Sequence, residues 1–317
     1  MTTTIVLTLL SASILAFNLL VIAVILRHKQ LRNSQLYYRV SMAASDVIVS
    51  TAILPSMIGN MWFYALHSKH SLLASRDGQQ VWARHSSSAY DKSFTMLSYF
   101  TGSVTSYSFV FACADRLTVV LFPLFYRSHD MKKASKCICV LIWLVSFSFV
   151  MFYGFNCKRN CYYYYFLASL AVTARTDMYV NIFYNIIIKT ILVIILSFMT
   201  AFVLRSNNLK TKTMRFDAHH KKIFKTEVKL AKNLMLVVLS FLLMVTPLFV
   251  CYFTTQIRGY SVFGRNYENY LLFFIIFYIS QILFICGTIW NFLIYVWRNK
   301  SFRECLFKLL KKHKQNT

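Results

Sequence analysis

Apolar residues in this chain run together rather than alternating with polar ones. Seven long stretches follow one another, roughly 4–26, 38–66, 91–122, 134–155, 178–204, 227–255 and 268–297. A surface helix would show a polar face at a 3.6-residue period, and a half-buried strand would alternate with period two. Several runs here, TIVLTLLSASILAFNLLVIAVIL among them, are apolar on all sides. Each reaches the ~20 residues that a helix needs to cross a bilayer. Backbone in lipid must satisfy its own hydrogen bonds, so runs of this length predict helices. The third run is the most polar, with Ser98, Thr101, Ser103, Thr105, Ser106 and Ser108. That content predicts a central helix facing protein, its hydroxyls bonding between helices. The expected fold class is an all-α membrane protein, a seven-transmembrane helix bundle forming one domain over 1–317.

Composition agrees. Hydrophobic residues make up 57% of the chain and charged residues 14%, against about 25% charged in a soluble domain. An aromatic share of 17% excludes a disordered chain, because so much apolar surface must be buried somewhere. The net charge is +25, and its placement decides its meaning. With the first inner loop taken at Arg27, Lys29, Arg32 and Arg39, 25 basic residues fall on one side of the seven spans and 9 on the other, with Lys189 inside a span. Sorting by alternate loops is the positive-inside pattern. It predicts an outer N-terminus and an inner C-terminus, and inner basic residues that attract anionic membrane lipids. A nucleic-acid-binding protein would not sort its charge this way, so no nucleic-acid partner is expected. The start MTTT lacks a basic leader region, so the first helix is read as an uncleaved anchor. No internal repeat suggests the duplicated halves of a transporter.

Polar residues inside spans are costly and mark function by default. Asn18 lies midway in the first span and Asp46 in the second. Asp115-Arg116-Leu117 ends the third, Trp143 marks the fourth, Pro247 the sixth, and Asn291 and Tyr295 the seventh. In order and at these depths, the landmarks resemble the rhodopsin-like (class A) G-protein-coupled receptors, over nearly the whole chain. The resemblance implies a plasma-membrane receptor that couples an extracellular ligand to a heterotrimeric G protein through sixth-helix movement, with arrestin as a further partner. It makes Asn18, Asp46 and Asn291 a sodium-and-water site, with a sodium ion at Asp46. It makes Asp115, Arg116 and Tyr295 part of the coupling face. Glu227 stands 20 residues before Pro247, roughly 30 Å along a helix. At that inner depth an acid pairs with Arg116 in many members and locks the resting state. Phe302-Arg303 with Leu306 and Phe307 resembles the family's short amphipathic cytosolic helix, placed over roughly 299–311.

Departures mark a divergent member. The seventh-helix proline is Phe292 and the sixth-helix tryptophan is Val245. The fifth helix lacks a proline, and Asp91 replaces the cysteine at the top of the third, which removes the usual disulfide. Cys157 and Cys161, in CKRNC, are expected outside, where a local disulfide or two separate thiols both fit. Cys305 on the amphipathic segment is a candidate for palmitoylation.

The outer half of the bundle is the expected ligand pocket. Ser98, 18 residues before Arg116, stands where amine receptors of the family carry an aspartate. Ile285 stands where opsins carry the retinal lysine. Lys189 is the odd charge of the fifth span. It either pairs within the bundle or snorkels, or it meets an acidic ligand. Other candidate pocket residues are Tyr99, Asn181, Asn185, Phe249, Tyr252, Tyr278 and Gln281. The basic surplus of the outer loops favours an acidic small molecule or short peptide. Phosphate-binding, zinc-hydrolase and nucleophile-elbow motifs are absent, so no enzyme is expected. Two rivals are a seven-span transporter or channel, which would want broken spans and several midplane charges, and a non-rhodopsin chemosensory receptor, which would lack the ordered landmarks.

Overall fold

In the first helix (Thr2–Arg27) the buried positions are Leu7, Ser11, Ile14, Asn18, Val21, Val24 and Ile25, spaced three or four residues apart up to the adjacent last pair. Ile5, Val6, Leu9, Leu19 and Leu26 face outward. One narrow protein-facing stripe on a helix that is apolar all round is what a lipid-embedded helix requires. The computed structural model describes residues 2–28, 31, 34–55, 89–156, 176–213, 235–236, 238–244, 246–247, 250–251, 267–298 and 300–315. At some helix positions, among them Ser98, Asn181, Asn185, Tyr278, Gln281, Asn291 and Tyr295, it describes the backbone alone.

All regular structure among the described residues is helical. The second helix starts at Ser34 and runs to Ile48, then continues through a π turn, Val49–Ile53. The third runs Ala89–Leu121, followed by a short loop helix, Pro123–Ser128. The fourth spans Met131–Asn156, the fifth Thr176–Thr213 and the seventh Tyr267–Arg298, with a tail helix over Lys300–Gln315. The described parts of the sixth run, within 235–251, are helical. Four helices among the described residues are long and apolar enough to cross a membrane: Ile5–Arg27, Tyr99–Leu121, Met131–Phe152 and Ile188–Ser206.

The π turn has a local cause. Pro55 has no N–H to offer the Thr51 carbonyl, and its ring crowds that group. The helix widens, and the Leu54 N–H bonds Val49 O, five residues back. That leaves Ser50 O without its helical donor, and the Ser11 hydroxyl of the first helix supplies one at 2.7 Å. The Ser50 and Thr51 hydroxyls donate to Val47 O at 2.9 and 2.7 Å. At Ser50 O a side-chain hydroxyl thus replaces the lost backbone bond, as lipid demands.

The chain divides into two compact units, Met1–Ala112 with Arg127–Leu192, and Cys113–Tyr126 with Val193–Thr317. Within the first, paired contacts fix helix directions. Ser41 meets Ser108 while Ser45 meets Thr101, so the second and third helices are antiparallel. Tyr37 meets Lys136 while Ser41 meets Trp143, so the second and fourth are parallel. The first packs against the second across the short connection at 28–33. Successive crossings therefore alternate in direction. Within the second unit Cys251 meets Ser280 and Gly287 lies against Met244, so the sixth-run segment and the seventh helix are antiparallel.

Candidate functional site

At the end of the third helix, Asp115 and Arg116 are 6% and 4% exposed. An Arg116 Nη2 donates to Asp115 Oδ2 at 3.4 Å. Two charges this deep are tolerated because they are paired; removing one would leave the other buried, at about 3–5 kcal/mol. Asp115 has a second partner that the sequence reading missed. The Tyr126 hydroxyl donates to Asp115 Oδ1 at 3.0 Å. Tyr126 is carried there by the loop helix, which begins at Pro123, a residue preset for the first helical turn. Its backbone N–H bonds Phe122 O at 3.0 Å, and Phe122 N–H in turn bonds Thr118 O at 2.9 Å, so the loop stacks directly on the third helix. A tyrosine eleven residues after the aspartate, in PLFYRS, was the available signal. Glu227 lies outside the described residues, and only the backbone of Tyr295 is described.

A hydroxyl ladder joins three helices of the first unit. Trp143 Nε1 donates to Ser41 Oγ at 2.9 Å, and the Ser41 and Ser108 hydroxyls share a bond of 3.1 Å. Ser45 Oγ donates to Thr101 O at 2.9 Å and accepts from Thr105 Oγ1 at 3.1 Å. Phe100 packs edge-on against Trp143, ring centroids 5.4 Å apart. Of the third run's hydroxyls, those of Thr105 and Ser108 thus bond the second helix, whereas that of Ser106 bonds Gly102 O of its own helix at 2.6 Å. In the second unit Cys113 Sγ lies 3.6 Å from Ser197 Oγ.

Asp46 is buried beside this ladder in sequence, one residue after Ser45. Asn18, also buried, spends its amide N–H on Ile14 O at 3.0 Å, which leaves its carbonyl oxygen as an acceptor. A buried carboxylate and an amide oxygen are donors of the hard-oxygen type that alkali and alkaline-earth cations take. The Asn291 side chain is not among those described.

Lys189 is 6% exposed, 13 residues into the fifth helix. Its neighbours Ile188, Ile191 and Leu192 are turned outward. The lysine therefore does not snorkel; its Nζ lies 3.7 Å from the ring centroid of Tyr107 on the third helix. A desolvated cation–π contact contributes about 2 kcal/mol. Burying an ammonium costs several kcal/mol, so the ring alone does not compensate it. The ion pairs among the described residues are Arg116–Asp115 and Lys300–Glu304, and neither includes it.

Of the other expected pocket residues, Tyr99 is half-buried. Ser98, Asn181, Asn185, Tyr278 and Gln281 are placed by helix backbone, and Phe249 and Tyr252 lie outside the described residues, as do Cys157 and Cys161. On the tail helix Phe302, Cys305 and Leu306 turn inward while Phe307 stays exposed, as does Trp297 near the end of the seventh helix. Acylation of Cys305 would require that helix to turn.

These features define a multi-pass helical membrane protein with a buried Asp-Arg pair ending its third helix. The model of the 7-transmembrane receptor (rhodopsin) family matches residues 17–295. The chain belongs to that family. It is 25% identical to Olfactory receptor 1496 of Rattus norvegicus over 190 residues, 57% of this chain and 56% of that protein. It is 28% identical to Probable G-protein coupled receptor 19 of Mus musculus over 151 residues, 46% of this chain and 32% of that one. The chain thus spans about half of the first relative and a third of the second.

Proposed function

We propose that this chain is one receptor domain of the plasma membrane, N-terminus outside and C-terminus in the cytosol, that couples an extracellular ligand to a heterotrimeric G protein. The observation that carries the reading is the Asp115–Arg116–Tyr126 cluster at the end of the third helix of a rhodopsin-family chain. In this reading Glu227 pairs with Arg116 at rest. Ligand binding in the outer half favours outward movement of the sixth helix, and Arg116 and Tyr295 then meet the G protein. Arrestin would use the same face. Asp46, with the oxygen of Asn18 and with Asn291, would hold sodium or water; the ion would supply charge balance to the buried carboxylate. The tail helix would lie on anionic inner-leaflet lipid, with Cys305 as an acylation site once turned outward. The chain acts as a transducer, with no catalytic step of its own. The test is second-messenger output in cells at equal surface expression. Wild type is expected to change basal or ligand-driven output, and Arg116→Ala to abolish the change; equal output from both contradicts the reading.

A further inference from the structure

The fifth helix carries Asn181, Asn185 and Lys189 at successive four-residue steps, so they share one face of Thr176–Thr213. Two carboxamide residues and a lysine thus share one register of the outer half of this helix, among Val180, Ile182, Phe183 and Ile186–Ile188. The register ends at Lys189, whose ammonium sits buried against the Tyr107 ring. No described carboxylate pairs with it. Along these two helices the nearest acids are Asp177, 12 residues from Lys189, and Asp115, 8 residues from Tyr107. They lie roughly 18 and 12 Å along the axes, beyond a lysine's reach, and Asp115 is held by Arg116 and Tyr126.

We propose that Lys189 is the receiving group for a carboxylate ligand that enters along the Asn181–Asn185 face, with Tyr107 holding the ammonium until the carboxylate displaces it. The inference rests on the receptor reading and names its ligand class. A carboxylate fits these residues because carboxamide N–H groups and an ammonium both donate to it. A neutral group would leave the ammonium under-compensated, and a cation would be repelled. The exchange of partner also gives the ligand a differential effect, because it releases a contact between the third and fifth helices that exists only in the unliganded state.

The experiment uses the full chain in nanodiscs of neutral lipid and reads the thermal midpoint. The probes are amino, hydroxy and aliphatic monocarboxylic acids, each paired with its uncharged primary amide. The expected result is that at least one acid raises the wild-type midpoint while its amide does not. Lys189→Met should lose the shift, and Lys189→Arg should keep it with altered affinity. Tyr107→Leu should lower the unliganded midpoint yet bind that acid several-fold more tightly, because the competing ring is gone; a merely structural tyrosine would weaken both. Tyr107→Phe keeps the ring and should resemble wild type. The proposal is overturned if no acid outperforms its amide, if Lys189→Met responds like wild type, or if Tyr107→Leu weakens acid binding. An acid-specific midpoint shift without any G-protein activation would refute the receptor reading and leave the carboxylate site standing.

Discussion

Trp143 makes two separable contacts, a hydrogen bond to Ser41 and an edge contact with Phe100. Trp143→Phe keeps an aromatic ring and deletes the bond, which should cost about 1 kcal/mol. Trp143→Ala removes both and should cost about 3–5 kcal/mol. Thermal unfolding of the two variants in the same lipid checks this; equal losses would mean the ring contact carries nothing. The residue scale also shows where sequence reading stops. Trp143 stands out in the sequence as a landmark and Ser108 as a polar position in a hydroxyl-rich third run that suggests bonds between helices, whereas nothing in the sequence singles out Ser41. Which hydroxyl meets which partner depends on helix rotation, and hydroxyls spread around the third run leave that rotation open. A loop tyrosine is ordinarily solvated, and only the loop helix brings Tyr126 to Asp115.

At the scale of elements, hydropathy was sufficient to find most helices, since lipid requires long unbroken apolar runs. It left the π turn unread, although Pro55 preceded by Ser50 and Thr51 was its signal. The turn couples two helices through a single carbonyl, Ser50 O, released by one and bonded by Ser11 of the other. Ser11→Ala should therefore leave a buried carbonyl unsatisfied, at about 1–3 kcal/mol. In a Pro55→Ala background the regular helix can return the Leu54 N–H to Ser50 O, and the same substitution should then cost markedly less. A double-mutant cycle on thermal midpoints reads the difference. Additive losses would show that the turn and the Ser11 bond are unrelated.

Across the whole molecule, the lopsided basic charge, 25 residues against 9, makes a prediction about orientation. Epitope tags at the N-terminus and the tail should be reached from outside and from inside intact cells respectively. Both tags on one face would contradict seven crossings. The deeper claim concerns the switch at the end of the third helix. Arg116 is buried and paired with Asp115, and Glu227, 20 residues before Pro247 in the sixth run, is its proposed resting partner. If Glu227 holds Arg116 at rest, its loss destabilises only the closed state, by the 1–3 kcal/mol (roughly 5- to 150-fold) typical of coupling between states. The most direct measurement is ligand-free nucleotide exchange on purified G protein, catalysed by wild type, Glu227→Ala and Arg116→Ala in the same nanodiscs. The account predicts exchange fastest with Glu227→Ala, slower with wild type and at the background rate with Arg116→Ala. Exchange at background with all three, or unchanged by either substitution, would contradict it.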